Sequence, residues 1–121
     1  MSVNIKRLLA LVATAQTLHA GSATWNLNPT SGNWNTASNW TPATVPNGPS
    51  DMATFDTSSN TAISVSANTE VNGITYSSGA GAFTTSFISR LNPTLTLSGV
   101  GITNNSTNTQ SFVVGEAGSG S

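Results

Sequence analysis

The chain has 121 residues, one domain's worth, of which only seven are Asp, Glu, Lys or Arg while 51 are Ser, Thr or Asn. An ordinary soluble domain is about one-quarter charged. Three cations cannot form the basic stripe that neutralises nucleic-acid phosphates, the Ala/Glu/Lys/Leu richness of a coiled coil is missing, and a chain with no cysteine has neither a disulfide scaffold nor a thiolate metal site.

The first predicted element is an export signal over 1–23. Lys6 and Arg7 are the only Lys or Arg before position 90. The apolar run Leu8-Leu9-Ala10-Leu11-Val12-Ala13 follows, and small residues gather at Ala20, Gly21, Ser22 and Ala23. A positive start, a short apolar centre and a small-residue exit are the order of a secretory signal peptide. The apolar stretch is about half of the ~20 residues that cross a bilayer. The competing reading is an amphipathic helix on the domain surface. Cleavage is expected after Ala20 or Ala23, giving a surface or extracellular product with no membrane insertion. The mature chain would keep Arg90 against Asp51, Asp56, Glu70 and Glu116, a net charge of −3, and would hold neither His nor Lys.

Residues 24–50 carry Trp25, Trp34 and Trp40 and four of the five prolines. Proline fixes φ and removes a donor, so an irregular, turn-rich cap segment is expected here rather than a helix or central strand. Over 51–114 the texture changes to short apolar alternations: Met52 to Phe55, Ile63-Ser-Val65, Val71, Ile74-Thr-Tyr76, Phe83, Phe87-Ile88, Leu95-Thr-Leu97, Val100-Gly-Ile102 and Phe112-Val-Val114. Period-two alternation between turn residues is the strand signature, and it predicts an all-β chain of about seven short strands. Residues 115–121 read as a flexible Gly/Ser tail and a truncation point.

Two all-β architectures compete. Tight two-residue hairpins are scarce, which disfavours an antiparallel β-sandwich. A self-similarity near 20 residues links Ile63 to Phe83, Ile74 to Leu95, Phe83 to Ile102 and Leu91 to Phe112, which favours a parallel β-solenoid whose coils pack on their neighbours. Composition supplies a physical reason. Equivalent residues of successive coils stack at about 4.8 Å, where like charges repel down the ladder but Asn, Ser and Thr hydrogen-bond to one another and to backbone.

Trp25, then Ser31-Gly32-Asn33-Trp34, Ala37-Ser38-Asn39-Trp40, Pro46 and Asp51-Met-Ala-Thr-Phe55 form one set of motifs. Val71-Asn-Gly73-Ile74-Thr-Tyr76, Leu95-Thr-Leu97-Ser-Gly99-Val-Gly101-Ile102-Thr-Asn104, Asn105-Ser106 and Gln110-Ser-Phe112 continue it. Taken together, this set resembles the amino-terminal part of bacterial autotransporter-associated β-strand repeat proteins. The resemblance implies a right-handed parallel β-helix displayed at the cell surface, of which this chain would be the first coils. Family members run for many more coils and often end in an outer-membrane barrel or a sorting tail.

Candidate sites are few. Trp25, Trp34 and Trp40 would serve as a carbohydrate-stacking platform if exposed, or as a plug for the open amino end of the core if buried; the plug is favoured because indole supplies the most bulk. Asp51 and Asp56 are the one close carboxylate pair, but a separation of five sends them to opposite strand faces, so both read as turn residues rather than a hydrolytic pair. No EF-hand or Gly-Asp nonapeptide pattern makes a calcium site of them. Without His or Lys in the mature chain, serine lacks an ordinary base. Asn39-Trp-Thr41, Asn104-Asn-Ser106 and Asn105-Ser-Thr107 match the N-glycosylation pattern, as chance alone predicts in so Asn- and Thr-rich a chain. The expectation is therefore a structural or adhesion module with no catalytic, metal or cofactor residues. Its partners would be a polysaccharide or cell-surface ligand, and an open solenoid edge is a route to self-association. The alternatives are a carbohydrate-binding module and, last, a pectate-lyase-like β-helix enzyme.

Overall fold

A computed structural model describes residues 21–114. The predicted tail, and the predicted signal apart from its last three residues, lie outside the described residues. Eight strands follow in chain order: β1 (Ala23–Trp25), β2 (Trp40–Thr41), β3 (Gly48–Phe55), β4 (Ala62–Val65), β5 (Thr69–Tyr76), β6 (Thr84–Phe87), β7 (Leu95–Asn104) and β8 (Ser111–Val113). Short 3-10 turns at Ala37–Asn39 and Ser89–Leu91 are the only helical pieces among the described residues.

The strands form two sheets, in the orders β2-β1-β3-β5-β7 and β4-β6-β8. Every strand pair is parallel except β1 with β2. A parallel bridge between Asn33 and Ser64 adds one more rung to the smaller sheet. The chain is thus a β-solenoid of about four turns, in which β1 and Asn33, β3 and β4, β5 and β6, and β7 and β8 form successive coils. This parallel stacking excludes the antiparallel sandwich.

Alternation decides which side chains face inward. Ala53 and Phe55 are buried while Thr54 between them faces out, and Ile63 and Val65 flank the outward Ser64 in the same way. Phe55 sits at the centre of the core. Its ring lies 5.9 Å from Trp25, 5.6 Å from Trp34, 5.5 Å from Trp40, 5.3 Å from Tyr76 and 5.0 Å from Phe83. Such aromatic pairs add roughly 0.5–1.5 kcal/mol each beyond the area they bury. In a chain without disulfides, this cluster carries much of the packing energy.

The spacing of the coils differs from the expected period. Ile63 stacks on Thr85 rather than Phe83, Ile74 on Ile102 rather than Leu95, and Phe112 on Thr85 rather than Leu91. The outward threonines Thr24, Thr54, Thr75 and Thr103 pair in sequence and lie 30, 21 and 28 residues apart. The coils are unequal because their corners hold loops of different length, and because β3 and β7 each place three residues opposite Asn72 of β5.

The 24–50 segment also differs from its expected irregularity. It holds β1, which lies between β2 and β3 in the sheet, and it makes the first coil. β1 ends at Trp25, before the first proline. Pro42 follows β2, Pro46 precedes β3, and Pro49 falls in the part of β3 where pairing with β5 is interrupted. The missing donors therefore fall where no ladder needs them.

The two ends of the solenoid are unlike. At the first coil, β2 is two residues long, runs antiparallel to β1 and is followed by Pro42. At the last coil, β7 and β8 each lie at a sheet edge. No residue beyond Thr85 is buried among those described. Phe87, Leu95, Leu97, Ile102, Phe112 and Val114 line an open groove of about 630 Å³ at that end.

Candidate functional site

Four tripeptides of the form apolar–Thr–large residue meet in register on the larger sheet: Ala23-Thr24-Trp25, Ala53-Thr54-Phe55, Ile74-Thr75-Tyr76 and Ile102-Thr103-Asn104. In the first three the flanking residues are buried in the core, in the last Ile102 and Asn104 are exposed, and the threonines lie on the other face. The result is a column of four hydroxyl and methyl groups, repeated at about 4.8 Å, with Thr41 of β2 beside Thr24 as a fifth member. Thr24, Thr54 and Thr75 are half-buried and Thr103 is exposed. β-branched Thr favours this pleated surface, so the row that faces solvent also suits the strand.

The coil corners beside this face are knitted by amides. Asn35 Oδ1 accepts the backbone N–H of Ser66 at 2.9 Å, Asn47 Oδ1 that of Glu70 at 2.9 Å, and Asn68 Oδ1 that of Thr94 at 2.9 Å. At the opposite corner, Asn108 donates to the Ala80 carbonyl at 2.9 Å and Gln110 to that of Gly81 at 2.8 Å. Each bond joins one coil to the next. The expected ladder of amides and hydroxyls is present, but most of these bonds run from side chain to neighbouring backbone rather than between like side chains. Asn47, Asn68, Glu70, Thr94 and Thr96 line a polar notch of about 250 Å³, and the Glu70 carboxylate there accepts the Ser98 hydroxyl.

The expected site residues fall as follows. Trp25, Trp34 and Trp40 are 2%, 0% and 1% exposed. Their indole N–H groups donate to the backbone carbonyls of Asn60, Pro46 and Trp34 at 3.1, 3.1 and 2.7 Å. None offers a ring face to solvent, so the stacking platform lacks the surface it requires. The three lie against one another and Phe55 at the first coil, as a plug would. Asp51 lies within β3 rather than in a turn, and its carboxylate accepts the Asn47 N–H at 3.2 Å. Asp56 follows β3 directly and accepts the Thr57 N–H at 2.8 Å. Among the described residues, no group of three or more His, Cys, Asp or Glu gathers, and no helix is long and apolar enough to cross a membrane.

Two features escaped the sequence reading. The threonine column is spelled by the four tripeptides, whose unequal spacing matches no fixed period. The second feature is Asn39, fully buried beneath the cap, where its Oδ1 accepts Thr30 N at 2.8 Å, Thr30 Oγ1 at 2.8 Å and Ser31 N at 3.1 Å. Its Nδ2 donates to Ser31 Oγ and the Asn33 carbonyl, both at 2.9 Å. Comparison of the chain with protein-family models, with curated proteins and with solved structures returned no match.

Proposed function

We propose that this chain is a non-enzymatic, exported structural and adhesion module of passenger type, whose working surface is the outward threonine column with its amide-lined corners. The observation that supports this reading best is the repetition of Thr24, Thr54, Thr75 and Thr103 in register over four coils. Hydroxyl groups set at a fixed interval suit a hydroxyl-rich polymer, which repeats as well. Each contact is weak, and many in a row add through effective concentration. Export rests on the residue order of 1–23. The fold adds a preference between the two cleavage positions. Ser22 Oγ accepts the Met52 N–H at 2.8 Å, and Ala23 pairs with Ala53, so a cut after Ala20 keeps the first coil whole.

The test uses the full chain coupled to beads and an array of insoluble polysaccharides. Retention on at least one polymer is expected, and Thr54→Val/Thr75→Val, which keeps the β-branched shape and removes two hydroxyls, should lower it several-fold with the fold intact. Retention unchanged in that variant overturns the reading, as does release of soluble sugar. A tryptophan emission that shifts when sugar is added would favour the carbohydrate-binding alternative instead.

A further inference from the structure

The two flanks of the threonine column are chemically unlike. Two residues before Thr54, Thr75 and Thr103 on the same strands stand Met52, Gly73 and Gly101, which pair in register and form the neighbouring outward column. A Cβ on Gly73 would lie 2.5 Å from Val100 Cγ2, so the valine covers the outer face of that glycine. Met52, half-buried, stands at the same level on β3. Met52 and Val100 thus give the hydroxyl row an apolar border. On the other flank, two residues past the threonines, lie Asp56, Ser77 and Asn105. The backbone N–H groups of Ser77 and Asn105 carry the ladder on by donating to the Phe55 and Tyr76 carbonyls at 2.9 and 2.8 Å, so this border is polar.

A sugar ring has the same division, with C–H groups on its faces and hydroxyls at its edges. The aromatic rings of these strands, Trp25, Phe55 and Tyr76, are buried, so the aliphatic Met52 and Val100 supply the apolar contact on this face. Charge narrows the class further. Asp51, Asp56 and Glu70 belong to this side of the molecule, whereas Arg90, the one cation among the described residues, follows β6 of the smaller sheet. An acidic glycan would meet unbalanced negative charge here. The coils repeat at about 4.8 Å, close to the advance per sugar unit of an extended chain. We infer that the ligand of the threonine column is an extended, uncharged glycan lying along the solenoid axis. Its C–H face rests on Met52 and Val100, and its hydroxyl edge follows Thr54, Thr75 and Thr103. This inference rests on the adhesion reading of that column and names its substrate class and its apolar half.

Depletion isotherms of the full 121-residue chain on insoluble cellulose, on insoluble mannan and on crosslinked polygalacturonate test it. Retention on at least one neutral polymer should exceed that on polygalacturonate about 10-fold. Met52→Gln and Val100→Thr keep side-chain size and shape while adding polarity, and each should weaken that retention about 5-fold. Ala62→Ser on the smaller sheet should leave it unchanged. Circular dichroism of all three variants should match the parent. Retention that falls with Thr54→Val/Thr75→Val but not with Met52→Gln or Val100→Thr overturns this inference and leaves the adhesion reading standing. Retention as strong on polygalacturonate as on the neutral polymers does the same. Retention on none of the three polymers overturns both.

Discussion

At the scale of single residues, the chain uses buried polarity sparingly and at specific points. Asn39 makes five hydrogen bonds inside the cap. Replacement by alanine would strand several of those partners away from water, so Asn39→Ala is expected to cost about 2–4 kcal/mol. Asn47→Ala, at an exposed corner, should cost less than about 1 kcal/mol, and denaturant midpoints of the two variants measure the contrast. Tyr76, the sole tyrosine, is only 1% exposed. Burial pushes its phenol up to about 12, opposed by the nearby Thr85 hydroxyl, which itself has no hydrogen-bonding geometry to any group. The unfolded chain releases this proton near 10, so the folded state holds it more tightly. The resulting stabilisation is complete below about pH 10 and is lost as pH rises towards 12; it amounts to roughly 2–3 kcal/mol. Tyr76→Phe should abolish that alkaline loss, and phenolate absorbance appearing near pH 10 in a chain still folded would contradict it. The tryptophans could be read as core from bulk alone. Asn39 could not, because one buried amide among fourteen asparagines carries no mark in the sequence; only the loop 30–33 folding over it sets it apart.

At the scale of elements, strand identity was legible and stacking was not. Ile63-Ser-Val65 and Ile74-Thr-Tyr76 alternate plainly, and both are strands. Which residue lies above which depends on corner lengths, and those are set by loops that follow no period. Equal spacing therefore pointed to Phe83 above Ile63, whereas the ladder places Thr85 there. The irregularity opposite Asn72 has its own requirement. A Cβ on Gly73 would lie 2.5 Å from Val100 Cγ2 and 2.6 Å from the Gly101 carbonyl oxygen. The valine can turn away, but the backbone oxygen cannot without shifting β7. Gly101 itself has φ +80, a conformation that glycine adopts freely. Gly73→Ala should therefore cost about 1–3 kcal/mol. Gly81→Ala is the comparison, since its Cβ meets nothing closer than Thr61 Cγ2 at 3.5 Å, and its thermal midpoint should stay near that of the parent.

At the scale of the whole molecule, packing is graded along the solenoid axis. Each coil rests only on its neighbours, the aromatic cluster fills the first coils, and burial ends at Thr85. The composition made a stacked fold legible, because so few charges over so many amides and hydroxyls suit a ladder. It carried no sign of this gradient, which arises from which coils receive the rings. Local opening free energies follow the number of buried apolar contacts an element makes, so the last coil should open first. In dilute solution, hydrogen exchange is expected to be fastest at the β8 amides, slower in β7, and slowest in β3 and β5, which have strands on both sides. Uniform exchange across all coils at low concentration would mean that the solenoid opens as one cooperative unit, and that the core around Phe55 stabilises the far end as firmly as its own.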